Sequence, residues 1–212
     1  MRRTKAEAEQ TRHDLLDAAE LLFDQQGVSR TSLADIAKAA GVTRGAVYWH
    51  FTDKDDVLRA MCERTCLPFD HLEAQLLADL PQGALQALRR YYLAIFSEVV
   101  RSPRTRRVFN ILWNKYECPD ENSPVMERRL EHLRESHATL TATLLAAREQ
   151  GQLRSPARIE DLAVMLDTAV MGLIELWLID PARFAIETRA AAYVEILLRM
   201  LGDGVDADAG QE

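Results

Sequence analysis

The stretch TSLADIAKAAGVTRGAVYWHF, residues 31 to 51, decides the fold of this chain. Ser32 with Asp35 three residues on makes a capping box, in which each side chain reaches back to the other's backbone amide at the start of a helix. Leu33, Ile36, Ala37 and Ala40 then recur at helical spacing and give one apolar face, about two turns long. Gly41 ends that helix. Thr43 caps the next, with Val42 before the cap and Val47 four residues after it placed as a hydrophobic staple. Two short helices joined by a tight glycine-containing turn make a helix-turn-helix.

The second of these helices carries Tyr48, Trp49, His50 and Phe51 in a row, and only some of them can face a core. Val47 and Phe51, at i and i+4, are placed to pack inward, which leaves Arg44, Gly45, Ala46, Tyr48 and His50 on the remaining surface. That surface suits a DNA groove. Gly45 and Ala46 keep the helix slim enough to approach base edges, Arg44 offers a guanidinium fork to guanine, and Thr43 and Tyr48 supply hydroxyls. His50 and Lys54 sit where phosphates would pass. The plainer alternative is an aromatic core cluster beneath a solvated charged face.

Outward from this motif the chain reads as helices throughout. Leu15, Ala18, Ala19, Leu22 and Phe23 give an earlier helix its apolar stripe, and Gly27 suits its stop. After Phe51, Thr52 is expected to cap a fourth helix, with Asp53, Asp55 and Asp56 favourably placed in its first turn. Pro68 should bend or break that helix before the apolar pattern resumes at Leu72, Leu76 and Leu80. Further helices are expected near 83 to 101, 104 to 116, 124 to 150, 157 to 179 and 187 to 201. Their breaks are CPDENSP (118 to 124), Ser155-Pro156 and Asp180-Pro181. The expected division is a DNA-binding domain over 1–54, a larger helical domain over 55–202 and a frayed tail over 203–212.

Charge follows the same division. The 212 residues carry a net charge of −7, yet residues 1 to 54 hold as many basic as acidic side chains. The acidic balance therefore belongs to the rest, and the DNA-reading end escapes the repulsion that a negative protein exerts on phosphate. Three cysteines and no apolar leader after Met1 point to a reducing cytoplasm. The most apolar stretch, Leu162 to Ile179, is interrupted by Asp167 and Glu175, so no membrane partner is expected. Motifs for metalloprotease, serine hydrolase, phosphate-loop and di-metal chemistry do not occur, so neither catalysis nor a cofactor is expected. Cys62 and Cys66, at i and i+4, are expected to be buried small residues, with a redox pair or two metal ligands as the alternative.

The run from Thr31 to Leu58 resembles the DNA-binding domain of the TetR family of bacterial repressors, in its acridine-efflux-repressor branch. The resemblance is specific over residues 10 to 60 and weaker to about residue 200. It implies an all-α homodimer that binds palindromic double-stranded operator DNA through its N-terminal domains and a hydrophobic small-molecule inducer through its C-terminal domains, controlling multidrug efflux. Carried over by position, Thr43, Arg44, Gly45, Ala46 and Tyr48 lie on the recognition helix, and Ser32, His50 and Lys54 at phosphate-contact positions. Trp49 is expected to pack rather than read bases. The redox or metal alternative on the same fold would use Cys62 and Cys66.

For the inducer, Phe69, Phe96, Phe109, Trp113, Tyr116 and Trp177 could supply apolar walls, with Cys66 and Met171 beside them. Asn110, Asn114 and Glu175 could supply oriented polar groups. Since relatives of this branch bind hydrophobic, often cationic drugs, Glu175 is expected to meet the cation. The helix ending at Ile179 is apolar nearly all round and must be covered on more than one side. Leu173, Leu176, Trp177 and Leu178 there, with Tyr193, Leu197 and Met200 on the last helix, are expected to form half of an intersubunit four-helix bundle. Burial inside one chain is the alternative.

Overall fold

A computed structural model describes residues 4–116 and 124–202, and the described residues form helices with no strand. The helices are α1 (Lys5–Gln26), α2 (Leu33–Ala39), α3 (Arg44–His50), α4 (Lys54–Asp79), α5 (Ala84–Arg101), α6 (Pro103–Asn110), α7 (Pro124–Glu149), α8 (Ile159–Ile179) and α9 (Ile186–Gly202). A π-helical turn, Ile111–Lys115, follows α6. The expected break over 118–124 lies outside the described residues except for Pro124, where α7 begins, and the expected frayed tail lies outside them entirely.

Helix ends follow local chemistry. Thr4 and Glu7 form a capping box on α1, as Ser32 and Asp35 do on α2. Thr43 accepts the Ala46 amide to cap α3. Gly27, at φ 86°, closes α1 with its amide on the Phe23 carbonyl. The start of α4 differs from expectation. Asp53 accepts the Asp56 amide at 2.8 Å and acts as the cap, while the Thr52 amide donates to the Asp56 carboxylate. A carboxylate is the stronger acceptor for an orphan amide at the positive helix end, so it displaces the threonine hydroxyl. Nor does Pro68 break the chain's helical run, since α4 passes through it. A helix loses one hydrogen bond there, and packing on both sides holds it, with Met61 and Phe69 both buried.

The described residues pack as two units. One takes residues up to Leu67 together with Ser102–Glu131, and the other takes Pro68–Arg101 together with residues from His132 onward. This division by packing differs from the expected functional boundary at 54/55. Val57, Leu58 and Met61 of α4 are buried in one cluster with Leu15, Phe23, Ile36, Val47 and Phe51. In the second unit α5 packs on α9 and α8. The α5 N-terminus receives its partners from the turn after α7, where Gln150 and Gln152 accept the Ala84 and Leu85 amides at 2.9 and 3.0 Å. Those amides would otherwise be orphans of the first helical turn.

Helix α8 is long and apolar enough to cross a membrane by length and composition. Here Ala163, Leu166, Val170, Ile174 and Trp177 are buried as one stripe, and the helix is exposed at Val164, Met165, Met171, Leu176 and Ile179.

Candidate nucleic-acid interface

The turn between α2 and α3 is closed by backbone alone. The Val42 amide donates to the Ala37 carbonyl at 2.9 Å and the Gly41 amide to the Lys38 carbonyl at 3.2 Å, with Gly41 at φ 67°. This pair of bonds is a Schellman closure, and its left-handed residue favours glycine because it carries no β-carbon. It fixes the angle at which α3 leaves α2. Val47 and Phe51 are buried beneath α3, and the Arg12 guanidinium lies 5.4 Å from the Phe51 ring centre.

The opposite face of α3 is open. Thr43, Arg44, Gly45 and Tyr48 are exposed, and Ala46 and His50 partly so. The Arg44 guanidinium rests over the Tyr48 ring at 5.6 Å, which holds a long side chain near the helix N-terminus before any DNA arrives. Gly45 has open space around its missing β-carbon apart from the Thr43 hydroxyl at 4.0 Å. Trp49 does not pack as expected: it is 72% exposed and meets the His50 ring edge-on at 4.5 Å. The core beneath α3 is filled by Val47 and Phe51, and Trp49 falls between them in sequence, on the outer face of a helix.

The phosphate-contact candidates are more committed than their sequence positions suggest. The Lys54 ammonium donates to the Val28 carbonyl at 2.8 Å and the Ser29 carbonyl at 3.3 Å, tying α4 to the turn after α1. An ammonium has three donors, so one remains for a phosphate. The Ser32 hydroxyl donates to Asp35 at 2.6 Å, and that bond, with the Ser32 amide beside it, holds the Asp35 carboxyl below its usual range. A phosphate bond from the Ser32 hydroxyl has to replace that one. A shallow depression beside α3, lined by residues 29–33, Tyr48 and 52–54, brings Ser32, Tyr48 and Lys54 to one surface. An adjoining groove, which shares Thr52 and Asp53 with that depression, holds Asp53, Asp55, Asp56, Glu63, Glu127 and Glu131 against Arg59 and Arg128. Its negative field repels phosphate and favours DNA on the α3 side.

The expected ligand residues are drawn from both packing units. Phe69 and Phe96 are buried in the second unit. Phe109, Asn110, Trp113 and Asn114 belong to the first, where Phe109 and Trp113 lie 4.9 Å apart. There the Asn110 amide donates to Asp24 at 2.7 Å and accepts from Asn114 at 3.0 Å. Glu175, expected to meet a cation, sits on the exposed face of α8 with Met171. The inward stripe of α8 passes through Ile174 and Trp177, and Glu175 lies off it.

The dimer candidates divide in the same way. Leu176 and Met200 are 44% and 52% exposed, Leu173, Leu178 and Tyr193 are half-buried, and Trp177 and Leu197 are buried within the chain. Trp177 and Leu197 are thus core residues of their own unit. The exposed apolar face consists instead of Val164, Met165, Met171, Leu176 and Ile179 on α8 with Ile196 and Met200 on α9.

Sequence reasoning missed one constellation in the first unit. Glu20 is fully buried on α1 and meets the Arg64 guanidinium of α4, with Arg104 and Arg107 of α6 at 3.5 and 3.7 Å. The available signal was an acid on the apolar side of α1, between Ala19 and Phe23.

A slim, exposed helix held by a tight turn over a buried face defines a helix-turn-helix DNA-binding regulator. Comparison with known proteins narrows this. Residues 15–61 match the model of bacterial regulatory proteins of the tetR family, and residues 83–203 that of the MAATS-type transcriptional repressor C-terminal region. The chain is 38% identical over 199 residues to the HTH-type transcriptional regulator AcrR of Shigella flexneri, covering 94% of this chain and 93% of that one. Among solved structures it resembles NalD, the secondary repressor of the MexAB-OprM multidrug efflux pump in Pseudomonas aeruginosa, with a TM-score of 0.84 and 32% identity over 94% of this chain and all of the other. It also resembles SmeT in its triclosan complex, with a TM-score of 0.78 and 33% identity over 92% and 93% of the two chains. The chain belongs to the TetR family of transcriptional regulators.

Proposed function

We propose that this protein is a ligand-released repressor of a multidrug efflux operon, acting from the cytoplasm as a homodimer on palindromic operator DNA. The observation that carries the reading is α3, buried through Val47 and Phe51 and open at Thr43, Arg44, Gly45, Ala46 and Tyr48. NalD, a repressor of an efflux pump, and SmeT, which binds triclosan, support the operon and the small-molecule trigger. Arg44 reads a base edge, Lys54 and His50 hold phosphates, and Ser32 contributes where the capping box yields. Residues 1–54 bind DNA, and residues 55–202 bind ligand and dimerise through the exposed apolar face of α8 and α9. Phe69 and Phe96, both buried in the second unit, contribute to ligand binding.

Release follows from α4, which begins beside α3 and runs on to Asp79. A dimer needs its recognition helices about 34 to 36 Å apart to read successive major grooves, so a small shift of each one ends binding. The redox alternative is disfavoured, because burial pushes the Cys62 thiol up to about 12, away from the thiolate that a sensor needs. Among the described residues no group of three or more His, Cys, Asp or Glu could hold a metal ion.

Footprinting on DNA upstream of the chain's own gene and of neighbouring pump genes tests the reading. A protected palindrome, with affinity falling steeply as salt rises, is expected. Protection nowhere in these regions, or equal affinity for all sequences, overturns it.

A further inference from the structure

A backbone phosphate entering the depression beside α3 meets Ser32, Tyr48 and Lys54, and it also meets Arg30. The donors that each has left rank them. The Ser32 hydroxyl commits its one proton to Asp35 at 2.6 Å. The Lys54 ammonium directs two of its three protons at the Val28 and Ser29 carbonyls. Arg30 is exposed and offers five N–H donors, of which only Nε is engaged, on the Gln26 carbonyl at 2.7 Å. Both of its terminal nitrogens are without a partner among the described residues.

The guanidinium is also mounted. Gln26 and Arg30 hold each other, since the Gln26 side-chain amide donates back to the Arg30 carbonyl at 3.4 Å and to the hydroxyl of the buried Thr31 at 3.1 Å. Thr31 donates in turn to the Gly27 carbonyl at 2.8 Å. The two Lys54 bonds clamp the same turn from the α4 side. An arginine tied in this way has lost part of its rotamer freedom before a ligand arrives, so less remains to be lost on binding.

Charge points the same way. Arg30 and Lys54 face one carboxylate in the depression, Asp53, which accepts the Asp56 amide at 2.8 Å as the cap of α4. Cations therefore outnumber acids there, and the Tyr48 hydroxyl stands beside them as a further donor.

We propose that Arg30 is the principal phosphate anchor of the DNA-binding face, gripping one backbone phosphate through both terminal nitrogens while Nε stays on the Gln26 carbonyl. This rests on the DNA-binding reading above and adds a contact outside the residues assigned there. A guanidinium fork makes two parallel bonds to a phosphate and fixes its orientation, which a lysine ammonium, acting as a point charge, does not. The turn that carries Arg30 runs directly into α2, and the Gly41 closure joins α2 to α3. The grip therefore sets the register of the recognition helix, while the face of α3 reads the bases.

The test uses the full-length protein with two duplexes, the palindrome protected in footprinting and a scrambled duplex of the same length and composition. Arg30→Ala should weaken both by about tenfold and make the salt slope shallower by about one per protomer, without lowering the melting temperature. Arg30→Lys should keep the parent's slope yet bind more weakly by about threefold or more, because the charge remains and the second bond is lost. Replacing single phosphates by uncharged methylphosphonates should reveal one position per half-site that weakens the parent and leaves Arg30→Ala unchanged. An unchanged slope in Arg30→Ala, or methylphosphonate losses that are the same in variant and parent at every position, overturns the anchor. Arg30→Lys binding as tightly as the parent overturns the two-bond grip. A parent that protects an operator while Arg30→Ala keeps its slope overturns only this inference. A parent that binds the scrambled duplex as tightly as any palindrome, with the slope still shallower in Arg30→Ala, overturns only the repressor function.

Discussion

In the first packing unit the fully buried Glu20 meets the Arg64 guanidinium with Arg104 and Arg107 close behind, whereas in the second Glu73 and Asp167 have histidines and tyrosines for neighbours. The same residue class thus meets two environments. Around Glu20, cations outnumber the acid and join α1 to α4 and α6, with Asp17 accepting from Arg104 at 2.9 Å and ion-paired with Arg64 at 2.9 Å. Such a network holds one arrangement of helices. Around Glu73 and Asp167 the offsetting groups are His132 and His137, and burial raises both carboxyls above their usual range.

The largest expected effect comes from breaking the compensated network. Glu20→Ala leaves the Arg64 side chain, 12% exposed, without its buried partner. By the usual cost of removing one member of a buried ion pair it should destabilise the fold by about 3 to 5 kcal/mol. Urea unfolding reads this directly, and a loss below about 1 kcal/mol would place Glu20 with weak surface pairs instead.

A charge can also be placed where none exists. Leu176→Lys, on the exposed apolar face of α8, should split the dimer, because a lysine there is desolvated without a partner. Sedimentation would report a monomer whose half-sites bind independently. A parent that is itself monomeric contradicts this assembly.

On the DNA face, Arg44→Ala should cost about 1 to 3 kcal/mol of operator binding and relax sequence preference. Lys54→Ala should weaken all sequences alike and make the salt slope shallower by about one. Because Lys54 also ties α4 to Val28 and Ser29, its variant should lose some stability that Arg44→Ala keeps. Unchanged discrimination by Arg44→Ala removes Arg44 as a base reader.

The smallest effect lies at Glu73 and has a definite sign. Burial raises the folded-state Glu73 carboxyl above its ordinary value of 4.5, so the folded state takes up a proton more readily than the unfolded chain. Its ionisation penalty is therefore present above the raised value and disappears as pH falls through it towards the ordinary one. Glu73→Gln should match or exceed the parent's stability at neutral pH, and the difference should close on acidification. Denaturant midpoints over that range check it. A neutral-pH loss in Glu73→Gln contradicts that penalty.

The features legible in the sequence are those set by neighbours a few residues away. Both capping boxes, the Gly41 closure and the inward pair Val47 and Phe51 depend on contacts within one or two turns. What the sequence could not place depends on partners far along the chain. Glu175 looked functional because a charge stood in an apolar run, yet the helix turns it outward and turns Asp167, in the same run, towards His137. Trp177 and Leu197 matched an interface pattern equally well as a core pattern, and only packing separated them. Glu73 stood unnoticed in a polar-looking segment, since its tyrosine lies 18 residues away and its threonine 66.

The central claim is that ligand and operator compete through one conformational equilibrium, and a single titration tests it most directly. Affinity for 1-methyl-4-phenylpyridinium is measured on the full-length protein with and without saturating operator. Reciprocity requires operator to weaken the ligand by the same factor by which the ligand weakens operator, with a tenfold factor corresponding to about 1.4 kcal/mol of coupling. Equal factors of about tenfold or more are expected in both directions. Identical ligand affinity with and without operator would contradict it.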